Sequence, residues 1–296
     1  MKYIITGSTG HISLPLIKKL KSAGHEVGVI SSNHSKTSEI EALGAKAWIG
    51  SVENQDFLNK AFQGADAVYT MVPPHFGAGN WKQYIAGIGK NYAEAIKANN
   101  IRYVVNLSSI GAHMPDGCGP VSGLYHVEAA LNQLEGVHVK HLRPGFFYYN
   151  FLGNISMIKN MGIIGGNYGN GTSVVVAAPD DIADAAAEEL LNLSFTGKSV
   201  RYIASDEKTT TEIAEILGKA IGKPELPWVD FKDEDTKAAM EQAGLPAEIA
   251  GNYTEMGAAL RSGNMAKDYY EHKPSSFGKT KFEDFAKTFA AVYSQS

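Results

Sequence analysis

The residues with the clearest chemical signature form a glycine-rich turn near the start of the chain. The segment Thr6-Gly7-Ser8-Thr9-Gly10-His11-Ile12-Ser13 follows a short apolar run and opens a stretch with helical spacing. Gly7 permits a tight turn, and Gly10 lets the backbone approach a pyrophosphate that the free N–H groups of a helix start can bind. The spacing departs from Gly-x-Gly-x-x-Gly, but small Ser13 keeps the last position compact. We predict that a dinucleotide is bound here by Gly7, Ser8, Thr9, Gly10, His11 and Ile12.

A second polar group indicates which dinucleotide this site would prefer. The segment from Ser31 to Lys36 reads Ser-Ser-Asn-His-Ser-Lys, and no acid lies between Glu26 and Glu39. An NAD site commonly carries Asp or Glu about 20 residues beyond the glycines, where it holds the ribose 2′-OH. Hydroxyls, an amide and a lysine suit a 2′-phosphate better than a carboxylate would. We therefore expect NADPH to be preferred over NADH, with Ser31, Asn33 and Lys36 at the 2′-phosphate.

Alternating strands and helices must position these groups. Six short apolar segments read as strands, at 2–6, 27–30, 45–49, 67–72, 101–107 and 137–142. Helical periodicity separates them, which predicts βαβ units and an α/β, Rossmann-type, doubly wound parallel sheet. Ligands of such sheets bind beyond the carboxyl ends of the strands. The same site should therefore include the residues that follow strands four to six: Met71, Val72, Pro73, Ser108, Pro144, Gly145 and Phe146.

The second half of the chain is less regular. Residues 162–171 hold five glycines, residues 174–178 read as a strand, and amphipathic helices follow at 209–221 and 282–292. We predict an NAD(P)-binding domain over 1–150 and a smaller mixed C-terminal substrate or cap region over 151–296, interleaved with the first. The aromatic run 146–151 either stacks on a flat substrate or belongs to the core.

Composition excludes several classes of protein. The chain has 296 residues and a net charge of −4, with no basic excess to neutralise nucleic acid. Single Cys118 excludes an intramolecular disulfide, and no histidine–carboxylate spacing indicates a metal site. Apolar runs are far shorter than the ~20 residues of a membrane span, and no signal-peptide core is present. We expect a cytoplasmic protein that binds a small-molecule substrate, without nucleic acid, metal or membrane; its oligomeric state is not predicted.

Several motifs together resemble the NmrA-like family of atypical short-chain dehydrogenases/reductases. Besides the glycine turn, the matching segments are Asn106-Leu107-Ser108-Ser109, His126-Val127-Glu128, Leu142 to Asn150 and Pro179-Asp180-Asp181-Ile182-Ala183. The resemblance spans nearly the whole chain and implies a Rossmann domain with a small C-terminal domain that forms a cleft. The family includes NAD(P)H-dependent quinone and azo-dye reductases, and also cofactor-sensing regulators without known catalysis.

Two neighbouring side chains are the candidates for a proton donor. Standard short-chain dehydrogenases use Tyr-x-x-x-Lys, but Tyr125 is followed four residues later by Ala129, so the charge that assists the tyrosine is missing. His126, whose ordinary pKa is near neutrality, could protonate a reduced quinone oxygen. The alternatives are a packing role for Tyr125 and a surface position for His126.

Two functions from different classes remain open. The first is an NAD(P)H-dependent oxidoreductase that passes hydride to a quinone-like or other flat acceptor. The second is a non-catalytic NADP(H)-binding redox sensor that acts through a protein partner.

Overall fold

The computed structural model describes every residue from Met1 to Ser296. The first half alternates six strands with five helices, as the apolar periodicity predicted. Their bounds are β1 (Lys2–Ile5), α1 (Ser13–Ser22), β2 (Glu26–Ser31), α2 (Thr37–Ala42), β3 (Lys46–Ile49), α3 (Gln55–Phe62), β4 (Ala67–Thr70), α4 (Trp81–Ala98), β5 (Tyr103–Leu107), α5 (Pro120–Asn132) and β6 (His138–Pro144). A 3₁₀ turn at His34–Lys36 leads into α2.

These six strands form one parallel sheet in the order β3-β2-β1-β4-β5-β6. The order reverses between β1 and β4, so connections leave the centre in opposite directions and cover both faces. A crevice opens at such a switch point, beyond the carboxyl ends of the strands. The predicted α/β Rossmann-type fold is confirmed.

The second half contains six further strands and seven helices. Their bounds are β7 (Phe146–Phe147), α6 (Ile155–Met161), β8 (Ile164–Gly166), β9 (Ser173–Ala177), α7 (Pro179–Asn192), β10 (Lys198–Ile203), β11 (Asp206–Thr209), α8 (Thr210–Ala220), β12 (Trp228–Asp230), α9 (Asp233–Gln242), α10 (Ala247–Arg261), α11 (Lys267–Glu271) and α12 (Phe282–Gln295). Two 3₁₀ segments lie at Tyr148–Asn154 and Asn264–Ala266.

The chain returns to the large sheet after leaving it. Strand β10 pairs in parallel with β6, from Lys198 opposite Val139 to Ile203 opposite Pro144, and becomes a seventh strand. Helix α7 packs against α1 through buried side chains such as Ala186 and Leu190. Residues beyond 150 therefore complete one edge and one face of the first half, and the division at residue 150 stays a prediction.

The remaining elements build a smaller mixed body. Strand β9 pairs in parallel with β7 and antiparallel with β11, while β8 and β12 form a separate parallel pair. Its core holds Tyr148 and Phe151, packed against Phe282 of α12 at ring distances of 5.2 and 5.5 Å. Part of the aromatic run 146–151 is thus core rather than substrate wall.

The two faces of the large sheet bury alternate residues of the same strands. Ile5 and Tyr69 lie on the face covered by α1 and α7, whereas Ile4 and Val68 lie on the face covered by α4 and α5. This alternation follows from the pleat of a strand. None of the helices combines the length and the apolar character that crossing a bilayer requires.

Candidate functional site

A groove of about 630 Å³ follows the carboxyl ends of β1 to β5, at the reversal of strand order. Ten residues of the predicted cofactor site lie in its wall: Gly7, Ser8, Gly10, His11, Ile12, Ser31, Asn33, Lys36, Met71 and Pro73. The structure thus brings together the glycine turn, the end of β2 and the end of β4, three segments that are far apart in the sequence.

The backbone of the glycine turn is specialised at two positions. Gly7 has φ +92°, and a Cβ there would lie 2.7 Å from Ser13 Oγ and 2.9 Å from Met71 Cγ. Ser8 has φ +56°, a conformation that residues other than glycine rarely adopt. Its N–H donates to Ile30 O at 3.0 Å. Such strain is often found at functional sites.

Helix α1 presents an open positive end to this turn. Its N-cap residue, Ile12, makes no side-chain cap, and its first turn holds no acid. By contrast, Asn54 caps α3 and Asn80 caps α4 through side-chain oxygens. Leu14 N already donates to Gly10 O at 2.9 Å and Pro15 has no N–H, so Ser13 N is the donor of the first turn that an anionic ligand can use. An added Cβ on Gly10 would meet protein only at Gly7 O, 3.2 Å away, which leaves this point open for a close approach.

Hydrogen bonds fix the turn against the end of β4. Met71 N donates to Thr6 Oγ1 at 2.8 Å, and the Tyr92 hydroxyl donates to Met71 O at 2.7 Å. Ser13 Oγ donates to Thr6 O at 3.1 Å. These contacts preorganise the wall of the groove, so a ligand need not order it.

The end of β2 forms the polar end of the groove. Ser8 Oγ donates to Ser31 Oγ at 3.0 Å, and Asn33 N donates to Ser31 Oγ at 3.2 Å. Lys36 Nζ pairs with Glu39 at 2.7 Å, and both side chains are exposed. Exposed pairs are weak, so Lys36 can exchange this partner for a phosphate at little cost. Glu53, after β3, is the one acid in the groove wall.

Aromatic and apolar side chains form the opposite end, beyond β4 and β5. The ring of Tyr149 lies 4.9 Å from that of His11 and 5.4 Å from that of Phe147. Tyr84 packs edge-on against His75 at 5.0 Å. Burial raises the pKa of Tyr149 to about 12, so its hydroxyl stays protonated at neutral pH. This end can hold a flat ring and exclude water from it.

Six predicted cofactor residues are absent from the groove wall: Thr9, Val72, Ser108, Pro144, Gly145 and Phe146. Ser108 is buried and donates to Glu128 Oε1 at 2.5 Å, whereas its neighbour Leu107 lines the groove. Phe146 packs against Phe151 at 5.2 Å, whereas its neighbour Phe147 lines the groove. Successive residues of extended chain point to opposite sides, which explains why the neighbour of the predicted residue lines the groove at both exits.

Gly145 has a structural reason to be glycine. A Cβ there would lie 2.5 Å from Val175 O, because β9 passes directly beside the exit of β6. Pro144 ends β6, and its carbonyl accepts from Ile110 N at 2.9 Å. Both residues hold the C-terminal body against the large sheet.

Tyr125 and His126 also lie outside the groove wall. His126 is exposed and borders a separate surface depression between α4 and α5, together with Lys82 and Lys90. Its ring packs edge-on against that of Tyr125 at 5.3 Å. The structure does not bring either candidate proton donor to the proposed site of chemistry.

A buried ionic network was not predicted from the sequence. Arg143 Nη2 and Nε donate to the two carboxylate oxygens of Glu128 at 2.6 and 2.9 Å. Arg143 Nη1 donates to Tyr202 OH and to Asp268 Oδ2, each at 3.0 Å. The network joins α5, β6, β10 and α11. Glu128 and Arg143 both fall in the segments that carried the family resemblance.

A second cavity, of about 770 Å³, lies beside β10 and the segment 274–279. Four carboxylates line it, from Asp181, Asp184, Glu188 and Asp268, against the cations of Arg143, Arg201 and Lys279. Asp181 already accepts from Ser205 Oγ at 2.5 Å and from Thr280 N at 3.2 Å. Helix α7 begins beside this cavity with Asp180 and Asp181 in its first turn, so the cavity suits an anionic dinucleotide less well than the groove.

Sequence reasoning missed one whole side of the groove. Residues 50–53 after β3 and the phenols of Tyr69, Tyr84 and Tyr92 all lie in its wall. The strand order could have predicted that 50–53 lie in the groove wall. Strand β3 lies next to β2, so the residues after β3 reach the same edge of the sheet. No sequence signal separates Tyr69 from an ordinary core residue.

Comparison with known proteins agrees with this geometry. Residues 7–135 match a protein family described as NAD(P)H-binding. Triphenylmethane reductase from Citrobacter sp., solved with NADP(H), superposes with a TM-score of 0.80 at 20% identity, covering 98% of this chain and 100% of the other. The NADPH-dependent quinone oxidoreductase from Escherichia coli, solved with NADPH, gives 0.79 at 22% identity, with 98% and 99% covered.

A curated relative matches along the whole length. Prestalk A differentiation protein A from Dictyostelium discoideum is 22% identical over 306 residues, which is 100% of this chain and 96% of the relative. The chain has a Rossmann-type fold with a groove at the reversal of strand order. Residues 7–135 thus match an NAD(P)H-binding family, and the two solved structures show that the chain shares their fold.

Proposed function

We propose that the protein is an NADPH-dependent oxidoreductase that transfers hydride to a quinone-like or other flat acceptor. The observation that carries the proposal is the groove: a glycine turn and an uncapped helix start at its centre, a polar end at β2 and an apolar, aromatic end beyond β4 and β5. This order matches the order of groups in the cofactor, from phosphorylated ribose through pyrophosphate to nicotinamide.

Each part of the groove has a role in this proposal. Gly7, Ser8, Gly10, His11 and Ile12 hold the pyrophosphate, and Ser31, Asn33 and Lys36 hold the 2′-phosphate. Bound NADPH supplies the hydride, while the chain orients the acceptor and keeps water away. Phe147 and Tyr149 offer flat faces beside Leu107, where a planar acceptor can stack.

Protons for the reduced acceptor come from solvent in this proposal. No histidine–carboxylate or tyrosine–lysine pair lies in the groove wall, and Tyr149 stays protonated because burial raises its pKa to about 12. Quinones gain their protons readily from water once reduced. The two solved structures named above are described as a triphenylmethane reductase and an NADPH-dependent quinone oxidoreductase.

The assay that tests the proposal measures NADPH oxidation by the purified protein with quinones, triphenylmethane dyes and aldehydes. Turnover with quinones or dyes, and little with aldehydes, is expected. Tight NADPH binding without oxidation by any acceptor would contradict the catalytic proposal and favour the redox sensor. No feature of the structure specifically favours the sensor.

Cofactor preference gives a sharper prediction. NADPH at a hundred times its Kd should stabilise the fold by about 2.7 kcal/mol. The Lys36→Ala variant should weaken NADPH binding by about tenfold, because a charge-assisted contact is lost, and leave NADH binding unchanged. Lys18→Ala, at an exposed lysine of α1, is the matched control. If Lys36→Ala weakens the binding of NADPH and of NADH equally, Lys36 does not contact the 2′-phosphate.

Their positions also predict how variants of Tyr125 and His126, the two candidate proton donors, behave. The His126→Ala variant should keep quinone turnover within about twofold of the native value, since His126 is exposed and borders a depression between α4 and α5 rather than the groove. General acid–base groups contribute at least about a hundredfold. Tyr125→Phe should behave likewise. A loss of that size in His126→Ala, with NADPH affinity intact, would restore it as the proton donor.

A further inference from the structure

One side chain in the groove wall has an unsatisfied polar group. Tyr69 of β4 is 0% exposed, and its hydroxyl has no hydrogen-bond partner. Other buried phenols of this chain are satisfied: Tyr92 OH donates to Met71 O at 2.7 Å, and Tyr3 OH donates to Leu190 O at 2.9 Å. Native proteins rarely leave such a group unpaired, because it loses its bonds to water on burial.

The position of Tyr69 shows what could satisfy this hydroxyl. Tyr69 is among the residues that line the groove, together with Met71, Leu107 and Tyr149, but neighbouring side chains cover its hydroxyl and must shift for a ligand to reach it. Burial, and to a lesser extent the phenols of Tyr149 and Tyr92, raise the pKa of Tyr69 far above its usual value. The hydroxyl is therefore a hydrogen-bond donor at every physiological pH, and it requires an acceptor.

We propose that Tyr69 is a cofactor-binding residue whose hydroxyl donates a hydrogen bond to the nicotinamide half of NADPH. The proposal rests on the proposed function. In the sheet, β2 lies on one side of the glycine turn and β4 on the other. If the 2′-phosphate lies at the end of β2, the part of the cofactor beyond the pyrophosphate reaches β4. That half carries a carboxamide oxygen and ribose hydroxyls as acceptors.

The Tyr69→Phe variant separates this role from a structural one. Without ligand, its melting temperature should stay the same or rise by roughly 2–4 °C, because an unsatisfied buried hydroxyl is removed. Its Kd for NADPH should rise about fivefold to tenfold, the value of one hydrogen bond. Its Kd for 2′,5′-ADP, which lacks the nicotinamide half, should not change.

Tyr92→Phe is the matched control, since that phenol is also fully buried in the groove wall but has a backbone partner. It should lower the melting temperature without ligand. A similar drop in Tyr69→Phe, or unchanged NADPH affinity, would overturn the proposal for Tyr69. If Tyr69→Phe weakens the binding of NADPH and of 2′,5′-ADP equally, the hydroxyl of Tyr69 does not contact the nicotinamide half. Failure of the native protein to bind NADPH would instead refute the proposed function.

Discussion

Replacing Gly10 by valine is expected to weaken NADPH binding by up to about a hundredfold while the protein stays folded. The residue is exposed and its φ is not in the left-handed region; an added Cβ would meet only Gly7 O, at 3.2 Å. The branched side chain would therefore occupy the space in which we place the pyrophosphate. Overpacking of a filled site costs about 1–3 kcal/mol, so the Kd for NADPH should rise by up to about a hundredfold. Calorimetric titration measures it directly.

Two further glycine variants make this result interpretable. Gly153→Val adds the same side chain at an exposed position with no atom within 4 Å, and should bind NADPH normally. Gly7→Val should unfold or strongly destabilise the chain, since φ is +92° and Ser13 Oγ lies 2.7 Å from the added carbon. If Gly10→Val is folded and binds NADPH with native affinity, the phosphates lie elsewhere.

Breaking the buried ion pair should produce a large loss of stability. Glu128 and Arg143 are 5% and 8% exposed, and two hydrogen bonds join them. The Arg143→Met variant leaves the Glu128 carboxylate buried without its cation, which typically costs about 3–5 kcal/mol. Urea unfolding measures the difference in the free energy of unfolding between the variant and the native protein. The slope of that free energy against urea concentration should be the same for both.

The double variant Glu128→Gln with Arg143→Met tests the cause of this loss. It removes both charges, so we expect it to recover most of the stability that the single variant loses. Lys219→Met, which breaks an exposed pair with Glu215, should change stability by less than about 1 kcal/mol. A loss in Arg143→Met no larger than that of Lys219→Met would show that the buried pair is not important for folding.

The fold was predictable because its signals are local. Apolar segments, helical spacing and the glycine turn place β1 to β6 in a doubly wound sheet, and Ser31, Asn33 and Lys36 lie in the groove wall. The sequence pattern does not predict in which direction each side chain points where a strand ends. Leu107 rather than Ser108, and Phe147 rather than Phe146, line the groove. Which of two neighbours points inward depends on where α1 and α7 pack, and α7 belongs to the distant half of the chain.

Long-range contacts explain the other differences. Asp268 lies 125 residues beyond Arg143 in the sequence and contacts its guanidinium, and no local sequence pattern predicts that contact. Tyr69 sits in an apolar strand that reads entirely as core. His126 lies on a helix whose buried side, which includes Val127 and Glu128, is fixed only when α5 packs on the sheet. In each case the three-dimensional packing, rather than residue type, decides the role.

Amide hydrogen exchange with and without saturating NADPH tests the central claim most directly, because it shows which cavity the cofactor occupies. The account predicts slower exchange in 7–13, 31–36, 50–53 and 71–75, which border the groove, and no change in 268–279, which border the larger cavity beside β10. Slowing confined to 268–279, or no slowing anywhere at saturating NADPH, would contradict it.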